Sequence, residues 1–517
     1  MKQNKFKQIF LVVLTVVLFC FSPLWAEAGD LITAKEVLNI KTCSDARISP
    51  DGSKIAYTVS VPREANDKPG SAYRELYVVG TKNGMIQPFI TGKISIGNIR
   101  WSPGGARIGF ITKRGEKAKS QVWAIAADGG EAVRLTNSKS GINSFEWHPK
   151  ESKIVYIATE PKTKKEEALK KKGYGFVFYE ENLKHKNLYL FDLKEKKTEQ
   201  LTAGKTAWSF VLSSDGKTIA AGMTGQNLID HSYMFKKIYL VDIKTKKLTR
   251  LTGNPGKLGR FAFSPDNTRM VYTAALERKD HAVSQVYVID IASKKAVNLT
   301  IPGFRGHVDR AGWKNRSTIY YRAGEGVWPT LSLVPAAGGK RRIILHSQDT
   351  GITFRTAVFT RNFKHGAVIG SSPRIPNDLF YWQPGRKLKR LTTLNPRLEK
   401  KKLGKQEIIS YKARDGQEIE GLLIYPAAYR EGRRYPLVVT VHGGPESHYS
   451  NGWLSSYSRP GQVLSARGYF VFYPNYRAST GYGVEFALAG YEDAAGKEFD
   501  DIADGIDYLI KKGFADP

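Results

Sequence analysis

The triplet His442-Gly443-Gly444 directly follows a continuous apolar run, Tyr435-Pro436-Leu437-Val438-Val439-Thr440-Val441. Glycine carries no side chain, so backbone N–H groups at Gly443 and Gly444 can approach a developing oxyanion closely, the donor arrangement that acyl transfer requires. A tight turn at a strand end explains the same glycines without any chemistry. Acyl transfer also needs a nucleophile, and here the sequence is silent. No serine has glycine both two positions before and two after it: Ser479 is preceded by Arg477, and Ser372 has Gly370 before it but Arg374 after it. The sharp turn that exposes a nucleophilic serine is therefore not written in these residues. His442, Glu446 and His448 are metal-ligating types, but their spacing matches none of the helical zinc motifs, so neither metal nor cofactor is expected. Glu180-Glu181 form a second candidate: two adjacent carboxylates suit an ammonium group, or are solvated neighbours of Lys184 and Lys186.

The elements around His442 alternate in type. Gln406 to Tyr411 and Ile419 to Tyr425 read as a hairpin around Arg414-Asp415-Gly416-Gln417, Leu464 to Gly468 ends a helix, Tyr469 to Tyr473 is a buried strand, and Asp501 to Lys512 is an amphipathic helix. Buried apolar strands alternating with helices predict a parallel α/β sheet. This texture begins only after the Lys400 to Lys405 stretch, which reads as a linker.

Before it, one motif recurs. An apolar residue is followed by a Ser-Pro-Asp-Gly-type turn at Ile48, Trp101, Trp147, Leu212 and Phe263, with weaker copies at Trp313 and Phe359, giving steps of 53, 46, 65, 51, 50 and 46 residues. Between the turns run alternating strands such as Ile238-Tyr239-Leu240-Val241-Asp242, and strands closing in Leu-Thr at Leu135, Leu201, Leu251, Leu299 and Leu391. Four short strands per copy predict propeller blades, which must stack in a ring because one such sheet cannot bury both faces alone. The expected architecture is an all-β seven-bladed propeller. Its turn residues read as structural, and the long third step holds a Lys-rich insertion from Lys162 to Lys172, expected to be an exposed loop.

The stretches YPLVVTVHGGPES at 435–447, GYFVFYPNYRASTGYGVEF at 468–486 and GKEFDDIADGIDYLIKKGFADP at 496–517 resemble the opening half of the catalytic domain of prolyl oligopeptidase-family serine peptidases. They are most similar to the acylaminoacyl-peptidase and bacterial dipeptidyl-peptidase branch, with Ala478 standing where glycine is usual. The resemblance implies a propeller at 29–400 and the N-terminal part of an α/β-hydrolase domain at 401–517. It implies oxyanion support from His442, Gly443 and Gly444, a brace for the sheet-end loop at Arg477, and peptides as substrates. It also implies that Glu180 and Glu181 are placed where dipeptide-releasing members hold the substrate's free amino group. The Ser-Asp-His triad is expected beyond Pro517, so that this chain alone would be inactive. The rival readings are a propeller that binds or scaffolds without catalysis, and a pseudoenzyme of the cell envelope.

Composition limits the setting. With 517 residues, 41% hydrophobic, the chain can bury sizeable cores. Lys2, Lys5 and Lys7 ahead of the apolar run from Ile9 to Phe21, then Ala26-Glu27-Ala28, read as a secretory signal over residues 1–28, with export to the periplasm and no lasting membrane insertion as the expectation. Cys20 lies within it and leaves Cys43 alone, so no intramolecular disulfide is expected. The net charge of +32 could attract nucleic acid, anionic polymers or acidic peptides. Its lysines are spread through loops, with no basic helix or stacking platform, which predicts a solvated surface and no nucleic-acid partner.

Overall fold

The computed structural model of the protein describes residues 30–517 apart from 116–117, 176–179, 182, 280–282, 301–302 and 445. The signal expected at residues 1–28 thus lies outside the described residues. Each Ser-Pro-Asp-Gly-type turn joins the first two strands of a four-stranded antiparallel sheet. Thr42–Ile48 enters Lys54–Val61 this way, with Ser49 Oγ donating to Asp51 Oδ1 at 2.5 Å and Asp51 accepting from the N–H of Ser53 at 3.1 Å. The Ser213–Asp215 and Ser264–Asp266 pairs repeat the bond at 2.6 and 2.5 Å. The Leu-Thr strands have an equally local purpose. The hydroxyls of Thr136, Thr202, Thr252, Thr300 and Thr392 accept the N–H groups of Val122, Leu188, Ile238, Val286 and Leu379 at 2.9–3.3 Å, so buried donors beyond the short outer strand are not left unpaired.

Among the described residues seven such sheets follow one another, over 42–90, 97–134, 142–200, 206–250, 258–298, 307–346 and 353–390. Neighbouring sheets share apolar clusters, as where Leu76 and Val78 meet Ile99 and Phe110. The last returns to the first, with Ala367, Ile369 and Leu379 packed on Ala46, Ile55 and Tyr57. The motif tryptophans tie each sheet to the one before it: the indoles of Trp101, Trp147 and Trp313 donate to the carbonyls of Arg47, Arg100 and Ala262 at 2.9, 3.2 and 3.1 Å. The result is a propeller. The Lys-rich insertion contains a helix, Lys164–Lys171, rather than only a loop. Thr163 and Glu166 form a capping box at its start, a three-residue spacing that the charge run obscured.

The second unit is built on a sheet ordered Gln406–Lys412, Glu418–Ile424, Phe470–Asn475, Leu437–Val439. Only the last pair is parallel, so the sheet is mixed where a parallel one is expected; the hairpin at 406–424 adds to Phe470–Asn475 antiparallel. Leu437–Val439 is half-buried, because it lies at the edge of the described sheet, whereas Phe470–Asn475 is buried throughout. The helix Lys497–Lys511 starts four residues earlier than predicted, its first turn held by Asp493, whose carboxylate accepts from Lys497 N at 3.1 Å. Its Leu509 packs with Tyr411, Leu423, Phe470 and Phe472 on one face of the sheet. The other face receives a plug from the propeller. Val327, in the hairpin turn of the sixth sheet, is buried among Leu422, Ile424, Tyr449, Leu454, Val471 and Tyr473. Residues 30–41 pack beside the second unit too, with Ile32 and Val37 clustered with Leu398 and Leu403. Gly404, in the predicted linker, is buried and pinned by Gln462. Among the described residues no helix is long and apolar enough to cross a membrane.

Candidate active site

Strand Leu437–Val439 delivers the chain to His442, with Thr440 N still donating to Phe472 O at 2.8 Å. The His442 ring then turns inward. It stacks on Tyr476 with centroids 4.5 Å apart, meets Tyr449 edge-on at 5.2 Å, and shares a hydrogen bond of 2.9 Å between Nε2 and Ser479 Oγ. Tyr476 closes the clamp by donating its hydroxyl to the His442 carbonyl. Burial pushes the imidazole down to about 4, so it is neutral at physiological pH. A neutral, buried, clamped ring positions the turn that follows it.

That turn is open. Gly443 and Gly444 are exposed, and a Cβ on Gly443 would meet nothing within 4 Å. Gly444 has φ +130°, a conformation that side chains disfavour. The two glycines therefore lie exposed beyond the end of a parallel strand, with free space beside Gly443 and only the following Glu446 and Ser447 beside Gly444, an opening of the kind oxyanion donors require. Ser479 is different. A serine and a histidine 2.9 Å apart is a nucleophile–base distance, yet Ser479 has no exposed surface, so no substrate carbonyl reaches it.

Arg477 fixes the loop opposite. Its guanidinium lies against Asp501, with Nε–Oδ2 3.0 Å and Nη2–Oδ1 2.5 Å, while its own N–H donates to Asp501 Oδ2 at 2.8 Å. Asp415 takes the remaining side, and these carboxylates push the guanidinium's pKa up. Asn475 holds Tyr449 through both backbone groups, at 2.7 and 3.0 Å, and donates to the Tyr482 hydroxyl at 2.8 Å. Tyr482 donates to Glu420 at 2.6 Å, and Glu420 accepts from Val327 N at 3.2 Å, which links the loop to the propeller's plug.

The turn faces the propeller. Glu446 pairs with Lys257 of the fifth sheet, and His448 Nδ1 meets Thr480 Oγ1 at 2.9 Å while its ring lies so close to Gly324 that a Cβ there would be 2.6 Å away. Burial holds His448 at about 3 and His307 at about 4, with the nearby Arg322 lowering both further. Glu180 and Glu181 are exposed, Glu180 at φ +67°. The foot of their insertion is fixed by His185, whose Nδ1 lies 3.0 Å from Thr206 Oγ1 just as the fourth sheet begins. Among the described residues no group of three metal-ligating side chains is assembled. Sequence reasoning singled out the glycines and Arg477. It missed Asp501, Asp415, Glu420, Lys257 and the plug, whose partners lie tens to hundreds of residues away; the clamp at Tyr476 and Ser479 was within reach, since both fall in the resembling segment.

Residues 455–517 match the model of the prolyl oligopeptidase family, and residues 71–276 match that of the dipeptidyl peptidase IV N-terminal region. An uncharacterized peptidase of Bacillus subtilis, YuxL, is 27% identical over 93% of this chain and 76% of its own length. Dipeptidyl-peptidase 5 of Porphyromonas gingivalis is 23% identical over 94% of this chain and 74% of its own. The solved Pyrococcus horikoshii acylaminoacyl peptidase shares the fold, with TM-score 0.75 at 19% identity over 94% of this chain and 74% of that one. Another solved acylaminoacyl peptidase, with TM-score 0.74 at 20% identity over 94% and 74% of the two chains, is in complex with Z-Gly-Gly-Phe-chloromethyl ketone. The chain therefore spans about three quarters of the length of these relatives, and in sequence and fold it is similar to serine peptidases of the prolyl oligopeptidase family.

Proposed function

We propose that these residues form the seven-bladed propeller and the oxyanion-bearing half of the catalytic domain of an exported serine peptidase that hydrolyses peptide bonds in oligopeptides. The observation that carries this reading is the exposed Gly443–Gly444 turn, held from behind by the clamped His442 and opened toward the propeller. The nucleophile, a serine in a Gly-x-Ser-x-Gly turn, and its Asp and His partners are carried by residues outside these 517, since no serine here has that setting. Serine attacks the peptide carbonyl as histidine takes its proton, the carbonyl oxygen becomes an oxyanion beside the glycine N–H groups, and the protonated histidine returns the proton to the leaving amine. The propeller over this turn excludes folded proteins and admits extended peptides.

Glu180 and Glu181 are proposed to hold the substrate's free amino group. They are exposed carboxylates on an insertion whose foot, at His185, stands at the same end of the propeller as Lys257 and the catalytic unit. Export rests on the pattern of residues 1–28. The test is hydrolysis of matched peptides with free and blocked amino termini by enzyme carrying the complete catalytic domain. Glu180→Ala with Glu181→Ala is expected to raise KM for free termini and spare blocked ones; equal effects on both would remove that assignment, and no hydrolysis of any peptide would remove the peptidase.

A further inference from the structure

The first strands of several propeller sheets bury a pair of residues between sheets: Cys43 and Ala46, Leu258 and Phe261, Val308 and Ala311, and Phe354 and Ala357. A register shift between the two sets the intervening residues on the unburied side, toward the ring axis. Charged residues gather there, Asp45, Arg260, Asp309, Arg310 and Arg355, and Arg47, Arg100 and Glu146 each follow directly after a buried residue of their strands. Arg355 on the seventh sheet lies near Arg322 of the sixth and Cys43 of the first. Arg260 on the fifth sheet feels Arg100 on the second and Asp45 on the first, and Arg310 on the sixth feels the same two.

The three carboxylates are already taken. Asp45 pairs with Arg47 at 2.6 Å, Glu146 with Arg100 at 2.7 Å, and Asp309 with Arg322 from the second strand of its own sheet. Arg260, Arg310 and Arg355, from three consecutive sheets, have no side-chain hydrogen bond or ion pair among the described residues. Desolvation within the ring and the neighbouring Arg100 lower both Arg260 and Arg310 from the ordinary guanidinium range, although Arg260 keeps exposed surface and Arg310 is half-buried. Uncompensated guanidinium groups in a partly dehydrated channel present donors in a planar fork that matches a carboxylate bidentately, and low-dielectric walls focus their field on the axis.

We propose that Arg260, Arg310 and Arg355 form a carboxylate-binding subsite in the propeller channel that selects extended peptides bearing acidic groups. The identification of the ligand as a peptide rests on the peptidase reading above; the carboxylate chemistry rests on the channel itself. The acidic group is either a side chain or a free C-terminus, and both present the same ion.

Fluorescence anisotropy of the purified chain at near-physiological salt tests this with three dye-labelled peptides: glutamate-rich with an amidated C-terminus, glycine-serine with a free C-terminus, and glycine-serine amidated. One or both carboxylate-bearing peptides are expected to bind at least about tenfold more tightly than the neutral one, and which of them does so identifies the source. The triple variant Arg260→Gln, Arg310→Gln, Arg355→Gln is expected to lose that difference. A variant with the same charge change on an outer loop, Lys244→Gln, Lys246→Gln, Lys247→Gln, is expected to keep it. The single variant Arg355→Glu, on an exposed position, gives a second reading that leaves two arginines in place, and its expected result is weaker binding of the acidic peptides alone. Equal losses in the loop and channel variants, or displacement of all three peptides alike by inorganic phosphate, would overturn the subsite. Because binding is read without turnover, acidic peptides that bind the channel of a protein whose complete catalytic domain cleaves no peptide at all would sink the peptidase reading and leave the subsite standing.

Discussion

His442 Nε2 and Ser479 Oγ lie 2.9 Å apart, and neither has a route to substrate: the serine is fully buried and the imidazole is clamped between Tyr476 and Tyr449. The pair looks like a catalytic dyad by distance and is a structural bolt by placement. It holds the strand end from which the exposed Gly443–Gly444 turn projects.

Removing the bolt has a defined consequence. Ser479→Ala leaves a buried ring nitrogen without its partner, which costs about 1–3 kcal/mol. The expected outcome is a lowered melting temperature for the second unit and, in enzyme carrying the complete catalytic domain, a reduced kcat through a looser Gly443–Gly444 turn, with peptide cleavage still measurable. Complete loss of turnover in a folded protein would mean that Ser479 reacts.

The Arg477–Asp501 pair is buried on both sides, with Asp501 fully enclosed. Breaking such a pair strands a charge, so Asp501→Asn is expected to destabilise the second unit by about 3–5 kcal/mol. Arg477→Lys is expected to fail as well, because an ammonium cannot reproduce the planar fork that meets Asp501 and Asp415 together. Limited proteolysis at 400–517 checks both; wild-type resistance in Asp501→Asn would contradict the brace.

Ala478 stands at φ +76° with its Cβ facing Gly490, where an added Cβ would come within 2.8 Å. Relief of the left-handed backbone favours glycine by about 1–2 kcal/mol, while the lost methyl burial and the freer unfolded chain offset about the same amount. Ala478→Gly is therefore expected to be neutral within about 1 kcal/mol. Ala478→Val adds a β-branched side chain at positive φ against Gly490 and is expected to destabilise strongly in chemical denaturation.

Three histidines, His442 buried and His307 and His448 partly so, set an acid limit. His442 and His307 are held at about 4 and His448 at about 3, all below the ordinary 6.5, mainly by burial. Below pH 6.5 the unfolded chain binds protons that the folded chain refuses, so stability is complete above that value and falls as the pH drops toward 4. Each histidine adds a slope of up to about 1.4 kcal/mol per pH unit. A melting temperature that declines between pH 6.5 and 4, with a shallower decline in His448→Asn, is expected; no change in slope would remove His448 from the account.

The repeat, the hairpin and the two texture zones were legible because they rest on local rules: Ser-Asp turns, Leu-Thr closures and alternating strands carry their reason within a few residues. The glycine turn drew attention because residues lacking side chains directly after an apolar run are informative on their own, although the run proves half-buried. The mixed sheet was not, because the antiparallel docking of 418–424 on Phe470–Asn475 is decided by partners some fifty residues apart. Nor was the plug at Val327, since an apolar residue in a hairpin turn shows no sign of the second unit that buries it. The arginine ring was hidden for a related reason: Arg260, Arg310 and Arg355 are scattered by about fifty residues, and only ring closure brings them to one axis.

Fluorophosphonate labelling followed by mass-spectrometric mapping of the modified serine tests the central claim most directly, on the 517-residue chain and on enzyme carrying the complete catalytic domain. The account predicts no label on any serine of residues 1–517, Ser479 included, and one label in the longer enzyme on a serine with glycine at both flanking second positions. A label on Ser479, or on any other serine within these residues, would contradict it.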